Sequence, residues 1–425
     1  MGRSPRSNDI AGRVAAGVVA RRRGRARVTT PPADAMAAAP AGGPEAGRAF
    51  VRAVNYWPAR TAMYWWEDVR AAETRRDFGR LADWGFREVR IFLSWEAFQP
   101  APETVAGAGL RGLEIALQAA ERCGVGLVPT LFCGHMSGVN WLPRWVLRPD
   151  APVNPFRSIC GGRVVRGWGA GDIYADPALL DAQRLLATRL ASTFGGHPGL
   201  AGWDLGNEFS NVRRPRRAED AATWSALLAE ALAPAGLPVT GGLHSQDLEE
   251  DRAIRPSLIS RTWVVAAMHG YPLYSPTARA ADDPAWVPFL VAVTAAMTGR
   301  PVAAQEFGLP DHELGEATVA RYAEAVLEGT WAVGAVGAAW WCFADYDASL
   351  RHRPPFDLAA HELHFGLVRA DGSPKPVLDA WRSFGERSVR AIAPRPRIDE
   401  EAWYGGLPGS LADAYREWLS SDRAA

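Results

Sequence analysis

Eight apolar runs of strand length recur along the chain, and several of them lack strict alternation of polar and apolar positions. Such runs are typical of strands that are covered on both faces, as in a parallel sheet. They are RAFVRAVNYWP at 48–58, REVRIFLSWEAFQP at 87–100, VGLVPTLFCGHMSG at 125–138, GWDLGN at 202–207, LPVTGGLHS at 237–245, TWVVAAMHGYP at 262–272, RPVAAQEFG at 300–308 and GAVGAAWWCFADYD at 334–347. Patterns of helical spacing fill the gaps between them.

Two of the intervening helices have readable ends. One apolar pattern of helical period stops at Gly124, and glycine is favoured just after a helix. Another begins with Asp176 as N-cap and Pro177 at the first helical position. Strand and helix alternate eight times, so we predict an α/β protein with a (β/α)8 TIM barrel and a long loop insertion after strand three, at 134–175.

The chain divides by composition into three parts. Residues 1–47 are rich in Arg, Ala, Gly and Pro and are expected to form a disordered extension, whereas 48–388 carry the barrel as a single catalytic domain. Residues 389–425 are a C-terminal tail that either packs on the barrel or makes a subunit contact. The apolar stretch at 15–20 is too short for a signal peptide, so the cytoplasm is the expected location, with an unusual export signal as the alternative.

Candidate chemistry lies where the predicted strands end, because barrels of this type place their active sites at the C-terminal ends of the strands. Glu208 and Glu306 each follow an apolar run directly. Burial can raise the pKa of such a carboxyl, and two of them can divide acid and nucleophile work between themselves. The strand-end candidates are Asn55, Arg90, His135, Asn207, Glu208, His244, His269, Tyr271, Glu306 and Trp341.

The order and spacing of these residues resemble the retaining β-glycosidases of glycoside hydrolase family 5. The motifs that carry the resemblance are Arg90 in VRIF, Asn207-Glu208 after strand four, His269-Gly270-Tyr271 after strand six, Glu306 after strand seven and Trp340-Trp341 on strand eight. The similarity covers roughly 48–385, and the stretch HFGLVRADGSPKPVLDAW at 364–381 also resembles the last segment of those barrels.

The resemblance implies a role for each carboxyl. Glu208 is expected to be the general acid/base and Glu306 the nucleophile that forms a covalent glycosyl-enzyme. Retaining enzymes hold these carboxyls about 5–5.5 Å apart. The supporting residues that the resemblance implies are Arg90 and Tyr271 beside the nucleophile, Asn207 on the sugar 2-hydroxyl, and His135, His269 and Asn55 in the same pocket. Arg90 as a structural ion-pair partner inside the barrel is the alternative.

Aromatic residues suit a sugar site, because indole faces pack against the C–H patches of a sugar ring. The chain has 18 Trp. Trp341 resembles the stacking platform of the innermost sugar subsite, and Trp95 lies in a predicted strand-end loop. We expect the insertion at 134–175, together with 57–66, to enclose part of the cleft and favour short or terminal saccharides. The alternative is that the insertion is a flexible surface loop.

Charge and cysteine content limit the classes of partner and metal site that the sequence predicts. Lys plus Arg and Asp plus Glu number 47 each, which gives no electrostatic reason to expect nucleic acid or an anionic membrane. Four Cys without CxxC spacing suggest neither structural zinc nor a disulfide scaffold. We therefore predict an oligosaccharide substrate, no cofactor and no metal, with a homo-oligomer through the tail as a further expectation.

The substrate is the least determined property, because family 5 carries several activities on one catalytic layout. The segments VNYWPARTAMYWW at 54–66 and RIFLSWEAFQP at 90–100 most resemble members that act on β-mannosides. The alternative within the family is an endo-β-1,4-glucanase or mannanase. Two other classes stay open: a metal-dependent barrel hydrolase that uses His135, His244 and His269, and a catalytically dead carbohydrate-binding barrel.

Overall fold

Eight parallel strands form a closed barrel in the computed structural model, which describes residues 45–421. The strands are β1 Val51–Asn55, β2 Glu88–Ser94, β3 Gly126–Cys133, β4 Trp203–Asn207, β5 Val239–His244, β6 Ala266–His269, β7 Val302–Phe307 and β8 Gly337–Trp341. Consecutive strands are neighbours, and β1 closes the barrel by pairing with β8, with Asn55 opposite Trp341. Each predicted run contains one strand, so the predicted fold is confirmed.

Helices surround this barrel. The longer ones are α1 Ala71–Asp83, α2 Gly107–Cys123, α3 Pro177–Phe194, α4 Ala218–Leu232, α5 Trp286–Thr298, α6 Glu316–Ala332, α7 Pro376–Phe384, α8 Glu400–Gly405 and α9 Gly409–Ser420. Shorter helical turns lie in the loops, at Trp95–Phe98, Gln246–Glu249, Pro256–Ile259 and Asp311–Leu314, with 3₁₀ turns that include Ala62–Glu67, Phe209–Asn211 and Ala360–His364.

The helix ends follow from local chemistry. Gly124 closes α2 with a φ of 69°, a left-handed conformation that costs glycine little. The Asp176 side chain caps α3 by accepting a hydrogen bond from the amide of Ala178 at 2.9 Å. This bond satisfies one of the amide groups that the first turn leaves without a partner. Both predicted helix ends are confirmed.

The insertion after β3 is folded. Its strands His135–Met136, Val139–Trp141, Arg157–Cys160 and Arg163–Val165 form a four-stranded sheet, and Leu147–Arg148 pairs with Gly169–Ala170. The Trp141 indole packs edge-on against Tyr64, which comes from the loop after β1, with the ring centroids 5.2 Å apart. The insertion is therefore an ordered wall on one side of the barrel mouth.

The C-terminal helices lie on the barrel. Tyr404 in α8 donates a hydrogen bond to the carbonyl of Asp247 at 2.8 Å, and Trp403 donates to the carbonyl of Leu248 at 3.0 Å. In α9, Tyr415 packs edge-on against Trp286, with the ring centroids 5.0 Å apart. Helix α5 is consequently buried along almost its whole length.

One sequence-based expectation concerns residues that lie mostly outside this part of the chain. The extension at 1–47 lies outside the described residues except for its last three positions. Within 45–421, no helix combines the length and the apolar character that a membrane crossing requires.

Candidate active site

Arg90 organises the floor of the barrel mouth. It lies on β2 with 2 % of its surface exposed, and it donates hydrogen bonds to four side chains. The acceptors are Asp204 Oδ2 at 2.8 Å, Asn207 Oδ1 at 2.8 Å, Glu306 Oε2 at 2.8 Å and Asn55 Oδ1 at 3.1 Å. Two buried carboxylates thus share one guanidinium, whose fixed fork holds both in place.

Glu306 has two further partners. Tyr271 donates its hydroxyl hydrogen to Glu306 Oε1 at 2.8 Å, and His269 Nδ1 lies 3.6 Å from Glu306 Oε2. Burial raises the pKa of the Glu306 carboxyl and the charge of Glu208 adds to that rise, whereas His269, Arg90 and the Tyr271 hydroxyl oppose it. Glu208 and Glu306 therefore titrate as a pair, in which the charge of one controls the other.

Glu208 follows β4 in a strained conformation. Its φ of 45° and ψ of 45° place it in the left-handed region, which a residue with a side chain adopts rarely. Such strain costs on the order of 1–3 kcal/mol and clusters at functional positions. It turns the carboxyl toward Asn211, whose Nδ2 donates to Oε2 at 3.1 Å. Single oxygens of Glu208 and Glu306 lie within 4.8 Å of one another.

Glu208 Oε1 and His269 Nδ1 share a single hydrogen. His269 Nε2 lies 3.0 Å from the side-chain oxygen Oε1 of Gln305, which requires a hydrogen on Nε2, and its Nδ1 lies 3.1 Å from Glu208 Oε1. Burial would raise the pKa of Glu208, but His244 and the hydrogen-bonded His269 hold it below its usual value. Glu306 and Glu208 raise the pKa of His269 against its burial. The shared hydrogen therefore rests on His269 and lies within reach of Glu208.

His135 contributes a neutral ring to the same pocket. Burial lowers its pKa to about 4. Its Nδ1 lies 2.8 Å from Asn140 Oδ1, so the ring hydrogen is on Nδ1, and Nε2 faces Glu208 Oε2 at 3.7 Å. Phe156 from the insertion packs edge-on against the imidazole, with the ring centroids 4.5 Å apart.

A cleft of about 370 Å³ opens above these groups. Eight of the residues singled out from the sequence line it: His135, Asn207, Glu208, His244, His269, Tyr271, Glu306 and Trp341. His244 is held by Asp247 Oδ2, 2.9 Å from its Nδ1. Side chains from six strand ends therefore converge on one site.

Besides Arg90 in the floor, two predicted residues do not line the cleft. Trp95 is buried below the insertion, where its indole packs against Phe132 and Trp145 and donates to Gln99 Oε1 at 2.9 Å. A sugar-contacting role for Trp95 is therefore wrong, because its ring faces are covered by protein. Asn55 lies beneath the cleft, where it accepts from Arg90 and its Nδ2 donates to the carbonyl of Gln305 at 3.1 Å. Asn55 supports the floor and does not reach the surface of the cleft.

The segment 57–66 is also farther from the cleft than expected. Trp57 stacks on Phe92 with ring centroids 5.4 Å apart, and Trp66 donates to the carbonyl of Phe92 at 2.7 Å. These rings fill the core between the loop after β1 and the barrel. The insertion does reach the cleft, through His135, Ser137, Gly138 and Phe156.

Several cleft residues have no signature in the sequence. They are Ser137, Phe156, Asn211, Gln246, Arg252, Tyr274, His361 and Glu362. Arg252 is buried and donates to Asn211 Oδ1 at 2.5 Å, so it supports the amide that contacts Glu208. The one signal for Glu362 is its position just before the HFGLVRADGSPKP stretch that already resembles family 5.

Two groups of side chains have the composition of a cation site. Glu208, His269 and Glu306 place one ligand atom each within 4.8 Å, as do Asp311, Asp345 and His364. In the second group the Lys375 ammonium lies 2.6 Å from Asp311 and 2.5 Å from Asp345, so a buried cation already occupies that position. His135, His244 and His269 form no such cluster among the described residues.

Comparison with solved structures identifies proteins that share the fold of this barrel. A GH5_18 protein from Streptomyces cattleya, in complex with Manb1-4GlcNAc, superposes with a TM-score of 0.73 and 22% identity over 88% of this chain and 92% of that one. The fold is that of glycoside hydrolase family 5. The resemblance noted from the sequence is thereby confirmed. No protein-family model matches the chain, and no curated protein matches it in sequence.

Two further solved structures are similar to the chain. An exo-beta-1,4-mannosidase from Opitutaceae bacterium strain TAV5 has a TM-score of 0.66 and 26% identity over 80% of this chain and 59% of that one. A GH5_18 protein from Bifidobacterium longum subsp. longum, again with Manb1-4GlcNAc, has a TM-score of 0.71 and 19% identity over 88% and 90% of the two chains. Complexes with Manb1-4GlcNAc and an exo-beta-1,4-mannosidase thus occur among the structures similar to this chain.

Proposed function

We propose that the protein is a retaining β-glycoside hydrolase that cleaves β-mannosidic linkages in short oligosaccharides. The observation that carries the proposal is the arrangement of two carboxyls: Glu306 bonded to Arg90 and Tyr271, with one of its oxygens within 4.8 Å of one oxygen of Glu208. Retaining enzymes hold their carboxyls about 5–5.5 Å apart, whereas inverting enzymes need about 6.5–9.5 Å for an intervening water. The short separation supports direct attack by Glu306 on the sugar.

In the first step, a Glu306 oxygen attacks the anomeric carbon while the bond to the leaving oxygen breaks. Glu208 delivers to that oxygen the hydrogen that it shares with His269, so the leaving sugar departs as a neutral alcohol. Arg90 and Tyr271 position the Glu306 carboxylate, and the guanidinium stabilises its ionised form. The product of this step is a glycosyl-enzyme ester on Glu306.

In the second step, Glu208 is ionised and takes a proton from a water molecule, whose oxygen attacks the same carbon. The ester bond to Glu306 breaks, and the sugar leaves with its original configuration. Asn207 lies at the edge of the cleft with its Oδ1 bonded to Arg90 and its Nδ2 bonded to the carbonyl of His135. The second hydrogen of this amide is available for a sugar hydroxyl.

The β-mannoside preference rests on the neighbours and on the shape of the cleft. Two of the neighbours hold Manb1-4GlcNAc, and a third is an exo-beta-1,4-mannosidase. The folded insertion walls one side of the cleft, which favours short or terminal saccharides over a polymer.

Hydrolysis of p-nitrophenyl β-mannoside, β-glucoside and β-galactoside, beside mannotriose, cellotriose, mannan and carboxymethyl-cellulose, tests this function. We expect the β-mannoside and mannotriose to be cleaved fastest, with little activity on either polymer. Activity confined to a polymer would contradict the proposal and indicate an endo-acting enzyme.

A further inference from the structure

A third carboxyl faces the cleft. Glu362 lies in the 3₁₀ turn Ala360–His364 after β8, and 6 % of its surface is exposed. It accepts hydrogen bonds from Ser137 Oγ at 2.8 Å and from the Tyr274 hydroxyl at 3.2 Å. We call the three side chains Ser137, Glu362 and Tyr274 the carboxylate bridge.

The carboxylate bridge crosses the barrel mouth. Ser137 follows β3 and Tyr274 follows β6, and two strands separate β3 from β6 in one direction around the barrel and four in the other. Glu362 reaches both side chains from the loop after β8. The loop after β8 thus borders the cleft on the side of β7 and β8, whereas other residues border it above β4 and β5.

The two ends of the cleft differ in chemistry. Glu208 must lie beside the leaving oxygen, and Asn211 and Arg252 extend from Glu208 above β4 and β5. The leaving part of the substrate therefore points toward Asn211 and Arg252. The sugar that becomes attached to Glu306 points the other way, toward Trp341 and Glu362, which line the same cleft.

Glu362 is suited to bind sugar hydroxyls. A carboxylate offers about four acceptor positions, and Ser137 and Tyr274 fill two of them. Burial raises the pKa of Glu362 to about 7 and the charge of Glu306 adds to that rise, whereas the hydrogen bonds from Ser137 and Tyr274 and the contact with the Trp341 side chain oppose it. Placing a carboxyl in such a position costs free energy unless polar partners satisfy it. Hydroxyl groups of a bound sugar are donors of the required kind.

We propose that Glu362 binds hydroxyls of the non-reducing terminal sugar, and that the carboxylate bridge blocks any sugar beyond it. The enzyme then removes one terminal sugar at a time. This inference rests on the proposed function, and it adds the residue that selects the chain end.

The first test uses the wild-type protein and mannohexaose labelled at its reducing end. The closed side of the cleft predicts early labelled products that are each one sugar shorter than the last. Early labelled products two or more sugars shorter would overturn the inference while leaving the glycosidase function intact. Absence of cleavage of every β-glycoside would overturn both.

The second test compares Glu362→Gln and Glu362→Ala with wild type on p-nitrophenyl β-mannoside. Loss of the charged acceptor should lower kcat/KM by about 10- to 100-fold, the effect of one or two hydrogen bonds to a charged group. Glu362→Ala should also release some labelled products shortened by two sugars, because the carboxylate bridge is then broken. Unchanged kcat/KM in both variants would refute the role of Glu362.

The matched control is Glu400→Gln. Glu400 also bonds to a serine, with Ser257 Oγ 2.7 Å away, but it lies in α8 outside the cleft. This variant should keep the wild-type kcat/KM and product ladder. If circular dichroism shows that Glu362→Ala folds poorly, Ser137→Ala gives the second measurement, because it removes one hydrogen bond to Glu362 and part of the carboxylate bridge. This variant should release products shortened by two sugars. A product ladder like that of the wild type would count against the carboxylate bridge.

Discussion

The guanidinium of Arg90 and the carboxylate of Glu306 form an ion pair of 2.8 Å in which both side chains are almost fully buried. The same guanidinium pairs with Asp204 Oδ2 at 2.7 Å. The pair with Asp204 fits the interpretation of Arg90 as a structural ion-pair partner, and the pair with Glu306 fits its interpretation as the partner of the proposed nucleophile. The buried Arg90 guanidinium, with its two carboxylate partners, both stabilises the floor of the barrel mouth and orients the Glu306 carboxylate.

Replacing Arg90 should harm stability as well as activity. Arg90→Met leaves Asp204 and Glu306 without their shared cation, and breaking a buried ion pair costs about 3–5 kcal/mol. Urea unfolding at pH 7 measures the loss. Arg157→Met removes a more exposed pair with Asp357 and should cost about 1 kcal/mol or less. Equal losses in the two variants would contradict the central position of Arg90.

Glu306→Gln should lower kcat on p-nitrophenyl β-mannoside by about 10³-fold or more, because an amide cannot form the glycosyl ester. A 2-fluoro mannoside, which slows breakdown of the ester, should label Glu306 in the wild-type protein. Mass spectrometry of peptides locates the label. A label on any other residue would overturn the assignment of the nucleophile.

Glu208→Ala should discriminate between leaving groups. Rates on mannotriose should fall by about 10²–10⁴-fold, since a sugar alcohol needs a proton as it leaves. For aryl mannosides with acidic phenols, the rate of the first step should fall far less. Added azide should restore part of the turnover of these substrates, because azide attacks the glycosyl-enzyme without a base to activate it. Equal losses on both substrates, without azide rescue, would argue against the acid/base role.

Gly242 on β5 should not tolerate a methyl group. A Cβ there would lie 2.6 Å from the backbone oxygen of Gly206 and 3.1 Å from the His269 ring. Gly242→Ala should cost about 1–3 kcal/mol of unfolding free energy and displace the imidazole that shares a hydrogen with Glu208. Gly196→Ala, where nothing lies within 4 Å, should stay within about 0.5 kcal/mol of wild type.

Glu362 should make stability depend on pH. Its pKa of about 7 in the folded protein exceeds the usual value of 4.5, so the folded state binds a proton more tightly than the unfolded state. The resulting stabilisation is complete below about pH 4.5 and disappears as the pH rises through about 7, an effect on the order of 3 kcal/mol.

Glu362→Gln should remove this slope from urea unfolding curves measured between pH 4.5 and 7.5. The exposed residue Glu103 provides the control, as Glu103→Gln should retain the slope of wild type. A variant at Glu362 with the same slope as wild type would mean that other groups set the pH dependence.

Sequence reasoning succeeded where the information was local. The Asp176 cap, the Gly124 terminator and the carboxyls at the C-terminal ends of β4 and β7 are each determined by a few neighbouring residues, and the barrel topology brings strand ends together. Glu362 and Arg252 could not be found this way, because their partners Ser137 and Asn211 are 225 and 41 positions away.

Trp95 illustrates the opposite error. A tryptophan just after a strand suits either a sugar platform or a packed core, and composition does not distinguish the two. The folded insertion decides the matter, since Trp145 from that insertion covers the indole of Trp95 with ring centroids 5.3 Å apart. The position of a long loop thus determines which aromatic faces remain free.

The bonds from Trp403 and Tyr404 to the segment 247–248 have a consequence for synthesis of the protein. Asp247, which anchors His244 at 2.9 Å and Ser210 at 2.6 Å, receives a backbone contact from Tyr404 at 2.8 Å. A nascent chain leaving the ribosome therefore lacks this support for its cleft until the codon for Tyr404 has been translated. The last helices to emerge complete a part of the barrel that was made more than 150 residues earlier.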